Sequence, residues 1–211
     1  MRVRSWLKTV PTLVIIGSML FLVLAVGGGL LLWGANFADD MVHKQLSEQN
    51  ITFPEKGSPA FSPEEFPGLQ QYAGQAVDNG PKAKAYADQY IKKHLEGVAG
   101  GKTYSDVSGE VQAARANGGT PDPALVAQQD TLFRGETLRG LLLYAWGWAT
   151  VGLIAFWAGI AALIGAGVVL FALVIGFVVH EHDRKHAVMA DDTRTPTSSF
   201  TEDRQVPIGV I

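Results

Sequence analysis

From Leu141 to Val179 the chain runs for 39 residues (LLLYAWGWATVGLIAFWAGIAALIGAGVVLFALVIGFVV) without a charged side chain. A bilayer core needs about 20 apolar helical residues at about 1.5 Å each, so this run exceeds one span and nearly fits two. A second apolar block, TLVIIGSMLFLVLAVGGGLLLWG, follows Pro11 and ends near Trp33 and Gly34. Two such blocks around a polar middle are the signature of an all-α membrane protein rather than of a water-soluble globule.

The first block predicts a transmembrane helix over residues 12–34. Residues 1–11 carry Arg2, Arg4 and Lys8 and no acidic residue, which places this end in the cytoplasm by the positive-inside rule. The block is longer than the apolar region of a cleaved signal peptide, about 7 to 15 residues. The second block has two readings. As one straight helix it measures about 58 Å, which leaves several apolar turns outside the lipid. As a hairpin divided near Ala158-Gly159 it gives spans over 138–157 and 160–179, each about one bilayer thick. The hairpin is the expected arrangement, because stranded apolar surface costs more than placing Arg184 and Lys185 on the outer side. One long C-terminal span is the alternative.

A cytoplasmic start makes residues 35–137 extracytoplasmic, in a multi-pass protein of the plasma membrane. Between Ala35 and Gly140 there are ten Lys/Arg against fourteen Asp/Glu, a balance that an exported loop tolerates. Residues 39–49 are expected to carry the first helix beyond the membrane, with Met41, Val42 and Leu46 as an apolar stripe. Residues 55–80, with prolines at 59, 63 and 67, read as loop. Over 82–98 the apolar residues Ala83, Tyr86, Ala87, Tyr90, Ile91, Leu95 and Val98 recur at helical spacing, and Gly100-Gly101 follows as a stop. Thr103 and Asp106 form a capping pair for a helix reaching Ala116. Asp122 before Pro123 starts a third helix that continues into the membrane. A region of about 100 residues with few large apolar groups predicts a small helical cap.

Little catalytic chemistry is visible. There is no cysteine, hence no disulfide, thiolate metal site or cysteine nucleophile. No G-x-S-x-G elbow occurs, and the seventeen basic residues are spread without a basic face, which argues against nucleic-acid binding. His180, His182 and His186 are the one cluster with metal-ligand composition, at the head of a polar tail over 180–211 that reads as disordered. Without the rest of a ligand shell they are expected to form an interfacial collar, and no cofactor is expected. Tyr86 and Tyr90 on the cap helix, with Arg134 and Arg139 at the membrane's outer face, are the candidate contacts for a partner protein or a lipid.

Three stretches carry a family resemblance: Asn50-Ile51-Thr52-Phe53-Pro54, AKAYADQYIKKHLEGVAGGKTYSDVS over 83–108, and DTLFRGETLRGLLLYAWGW over 130–148. Together the chain resembles a group of actinobacterial integral membrane proteins of unknown role, often labelled aromatic ring-opening dioxygenases. The resemblance implies a plasma-membrane location and an envelope role, and brings no catalytic residues. Ring-opening enzymes of that kind hold iron with histidines and a carboxylate in a soluble core, whereas only His43 and His94 precede the second apolar block. The expectation is therefore not an enzyme but an accessory protein that docks on other membrane proteins, using small-residue faces at Gly27 to Gly29, Gly159, Gly165 and Gly167. A membrane module responsive to a lipid or small ligand is the second reading.

Overall fold

The computed structural model describes residues 3–192, and the side chains of 12–182. It is mostly helical, with no strand among the described residues. In chain order it has α1 (Val3–Glu48), 3-10 turns at Pro59–Phe61 and Pro67–Tyr72, α2 (Gly80–Ala85), a π-helical segment Tyr86–Ile91, α3 (Lys92–Val98), α4 (Tyr104–Ala116) and α5 (Pro123–Asp192). Two stretches are long and apolar enough to cross a membrane, Thr12–Glu48 and Pro123–His182.

The expected hairpin is not formed. α5 continues through Ala158-Gly159 as one helix of 70 residues. Two physical reasons stand out. The sequence there has no proline and no polar turn-former to stop the helix. The apolar turns that would otherwise be stranded are in part covered by protein: Leu142 is buried in the cap core, and Leu143, Ala145 and Ala149 pack against that core.

The chain divides into two compact units. The first, Val23–Ile164, contains the cap and the helix segments that enter it. There α1 and α5 run antiparallel, with Gly28 against Gly159 and Leu163, and Ala38 against Gly152. A Cβ at Gly28 would lie 3.1 Å from the Gly159 carbonyl, and one at Gly159 would lie 3.0 Å from the Gly28 carbonyl. This is backbone approach of the kind that glycine permits between membrane helices. In the second unit, formed by the N-terminal part of α1 and the C-terminal part of α5, Gly17 faces Leu173 and Ala166 is buried.

The extended end of α1 contributes Val42 and Leu46 to the cap core, as the stripe at those positions predicts. Asn50 turns the chain with φ of 51°. A short antiparallel bridge then joins Thr52 to Ala76, Phe53 N–H donating to Gln75 O at 2.9 Å and Val77 N–H to Ile51 O at 2.8 Å. Between the two sides of this bridge, the segment read as loop is ordered into 3-10 turns that bury Phe61, Phe66 and Leu69. Each turn begins at a proline, whose fixed φ suits a first helical position and whose missing N–H costs nothing there.

From Gly80 to Val98 the chain descends along α5. Gly80 abuts Ala149, Lys84 Nζ sits 3.8 Å above the Trp146 ring, Leu95 packs on Gly135, and Gln128 donates to Val98 O at 3.2 Å. The helical spacing is reflected in burial of Ala83, Ala87, Ile91 and Leu95, while Val98 is exposed. Thr103 and Asp106 form the reciprocal capping box at the start of α4. Ser108 Oγ accepts from Gln129 at 3.0 Å and so fastens α4 to α5, which itself starts where Asp122 Oδ1 accepts from Ala124 N–H at 2.8 Å.

Two glycines discriminate this packing. A Cβ at Gly80 would fall 2.4 Å from the Ala149 Cβ, which has no rotamer to give, whereas one at Gly109 in α4 meets nothing within 4 Å. Gly80→Ala is expected to destabilise the cap by about 1–3 kcal/mol, and Gly109→Ala to stabilise it by about 0.5–1 kcal/mol. Thermal melting of the detergent-solubilised protein checks both signs.

Candidate functional site

The sequence candidates fall on two elements, Tyr86 and Tyr90 on the π-helical segment and Arg134 and Arg139 on α5. Tyr86 and Tyr90 lie on the π-helical segment, where the widened turn holds their ring centroids 4.9 Å apart. Such segments are rare and concentrate at functional positions. Tyr90 stacks toward His94 at 4.4 Å, and His94 lies parallel to Phe66 at 5.8 Å. Phe53 meets Tyr86 edge-on at 5.1 Å, and Phe61 meets Tyr90 at 5.8 Å. The result is a continuous aromatic cluster whose pairs add dispersion and quadrupole attraction to simple burial. Burial raises the pKa of both Tyr86 and Tyr90, with the neighbouring Tyr90 adding to the effect at Tyr86.

Asp88 lies between the two tyrosines and accepts from Arg139 Nη2 at 3.1 Å; Arg139 Nη1 donates to Glu136 at 3.2 Å. Arg139 is half-buried, and its Nε is a buried donor without a partner. The structure thus brings Tyr86 and Tyr90 together, and Arg139 pairs with Asp88 of the same segment, two residues from each tyrosine. Arg134 does not join them: it is exposed and pairs with Asp130 one turn away at 3.0 Å. Pairs of that kind are worth little.

Two other polar devices hold the cap. Asp78 accepts from Lys82 at 3.0 Å, and this hydrogen bond lowers its pKa below the usual carboxylate value. His43 of α1 donates Nδ1–H to Asp78 O at 2.9 Å. His180 and His182 lie near the end of α5, and the His186 side chain falls outside the described residues. Among the described residues no three His, Asp or Glu are grouped to hold a metal ion.

Sequence reasoning passed over Phe53, Phe61 and Phe66, although three phenylalanines in a proline-rich stretch are themselves a sign of buried turns. It also missed Asp88 as the partner of Arg139, a contact spanning 51 positions that no local pattern encodes. No protein-family model, curated protein or solved structure matches this chain.

Both tyrosines keep their protons more tightly folded than unfolded. Stability from this source is therefore complete below the ordinary tyrosine value of about 10 and is lost as pH rises through the folded values. In an ultraviolet titration, two phenols are expected to ionise late, and Tyr86→Phe with Tyr90→Phe removes that late step; a single transition near the ordinary value would contradict the packing. Arg139→Gln is expected to cost about 1–2 kcal/mol of cap stability, discounted for its partial exposure, and Asp88→Asn in the same background should add little further loss in the melting temperature.

Proposed function

We propose that this chain is a two-span plasma-membrane protein that presents a fixed helical cap outside the cell and serves as a non-catalytic accessory or interaction protein of the envelope. The observation that carries this reading is the shared core. Val42 and Leu46 of α1, and Leu132 and Leu142 of α5, are buried in the same cluster as the cap's own Phe53, Phe61 and Leu69. The cap is thereby a rigid continuation of its anchors rather than a tethered enzyme domain.

The membrane segments follow from charge and exposure. Leu13, Ile15, Met19 and Leu30 on α1, and Ile164, Val168 and Phe171 on α5, each keep more than 60% of their surface open. In water each such side chain forgoes roughly 1.5–3 kcal/mol, so lipid is the medium that fits. Trp33 of α1 and Trp157 of α5 sit at comparable levels of the antiparallel pair and mark an aromatic boundary, just short of Asp39 and Asp40. Thr12 to Trp33 and Trp157 to Val179 then measure about 33 and 35 Å, close to one bilayer core. This assignment returns the tail, with Arg184 and Lys185, to the cytoplasmic side together with Arg2, Arg4 and Lys8. It also agrees with the plasma-membrane location that the resemblance to actinobacterial membrane proteins implies.

One observation favours a second reading. The buried Nε of Arg139, which has no hydrogen-bond partner among the described residues, would suit a small anion or a lipid head group, giving a ligand-responsive module. Against it, the remaining guanidinium donors are already held by Asp88 and Glu136.

Because the chain has no cysteine, single cysteines report topology directly. Lys56→Cys should react with an impermeant thiol reagent on intact cells, and a cysteine at position 190 should react only after permeabilisation; labelling of position 190 on intact cells would overturn the two-span topology. Purification from native membranes in mild detergent should return a second membrane or envelope protein, lost when the cap is loosened by Gly80→Ala. Recovery of this chain with bound lipid and no protein would favour the ligand reading instead.

A further inference from the structure

Above the level of Trp33 and Trp157, one face of α5 has no cover among the described residues. Leu141, Tyr144, Trp148 and Val151 are 63, 64, 39 and 54% exposed, although Leu142, one residue along, is buried in the cap core. Their spacing of three, four and three residues is that of a coiled-coil seam. The same spacing continues toward the membrane through Ala155, Ala158 and Ala162, small residues of the kind that let membrane helices approach closely. Beside the seam, Gly140 and Gly147 lie in the helix interior, and a Cβ at either would meet nothing within 4 Å. Glycine there costs helix stability with no packing among the described residues to offset it, unlike Gly80, Gly135, Gly152 and Gly159, each of which faces a close neighbour.

We propose that this seam is the contact surface for a second copy of the chain, paired in parallel about a two-fold axis normal to the membrane. The inference rests on the two-span reading, which puts Leu141 to Val151 outside the hydrocarbon, where lipid tails do not cover them. A shared membrane orients every copy alike, so a parallel pair sets each residue against its own equivalent. That arrangement demands a face without charge. The seam provides it: Thr137, Leu141, Tyr144, Trp148, Val151, Ala155, Ala158 and Ala162 carry none. Continuity with the alanine face inside the membrane gives one contact line from cap to bilayer, and Gly140 and Gly147 leave room for the partner's rings. The four large side chains, two of them aromatic, supply roughly half of the ~800 Å² per partner that a stable interface uses, before the membrane portion is added.

The test is a set of single cysteines from position 140 to 151, oxidised in native membranes. A covalent dimer should form at Leu141, Tyr144, Trp148 and Val151 and be faint at Leu142, Ala145 and Ala149, which face the cap. Tyr144→Glu, an exposed substitution, should weaken association by about tenfold or more in light scattering of the detergent-solubilised protein while leaving cap melting unchanged. Absence of dimer at all four seam positions, dimer formation without this periodicity, or a covalent adduct to a different polypeptide would each overturn the proposal. Alkaline extraction of the same membranes separates the two readings: release of the protein defeats the membrane assignment, whereas retention without seam crosslinks defeats only the dimer.

Discussion

The close passage of α1 beside α5 sets the register on which the rest of the first unit depends. Gly28 and Gly159 meet backbone to backbone, and a Cβ at Gly152 would lie 3.2 Å from that of Ala38. The Ala38–Gly152 contact tolerates no slip, because a one-residue shift would bring Phe37 or Asp39 of α1, or Val151 or Leu153 of α5, into the gap. Register in turn decides which turns of the apolar run on α5 lie level with apolar α1 and which lie level with Asp39, Asp40 and the hydrated turns beyond. The first group suits lipid; the second is free to become part of a protein core.

That division explains how a cap with few large apolar groups holds together. It borrows Leu132 and Leu142 from α5 and Val42 and Leu46 from α1, then closes the core with phenylalanines brought in by proline-initiated turns. Aromatic contacts extend from Phe53 through Tyr86 and Tyr90 to His94, and the Arg139–Asp88 pair clamps the π-helical segment to α5. Most charge near this junction is spent on internal pairing. Exposed large apolar groups at this level include Leu141, Tyr144, Trp148 and Val151 of α5, the face proposed above to meet a second copy.

Much of this was legible in the sequence. Local signals were faithful: the capping pair Thr103 and Asp106, the Asp122-Pro123 helix start, and the glycine stops at Gly100-Gly101, where φ is 60° and 85°, all act as their types require. The stripe on the helix after Gly80 is correct at Ala83, Ala87, Ile91 and Leu95 and fails at Val98, which is exposed. What failed was accounting for length. Dividing the 39-residue apolar run at Ala158-Gly159 assumes that all of it needs lipid, whereas α5 continues through that point, and the small-residue face expected at Gly159 packs on Gly28 of the same chain. No local pattern says that Leu142 is buried in the same core as Phe53, Phe61 and Leu69 of the cap. The junction was half legible for the same reason: Tyr86, Tyr90 and Arg139 are conspicuous by type, whereas Asp88 becomes significant only when the helices are packed.

The register of α1 against α5 is tested most directly by a disulfide between Ala38→Cys and Gly152→Cys in the otherwise cysteine-free chain. Their Cβ positions lie 3.2 Å apart, near the range of about 3.5–4.5 Å that a disulfide spans. The account predicts rapid, near-complete intramolecular crosslinking on mild oxidation in membranes, with a shifted mobility reversed by reductant. Had the chain instead turned at Ala158-Gly159 and spanned the membrane from residue 138, position 152 would lie deep in the bilayer while position 38 lay outside it, and no crosslink would form.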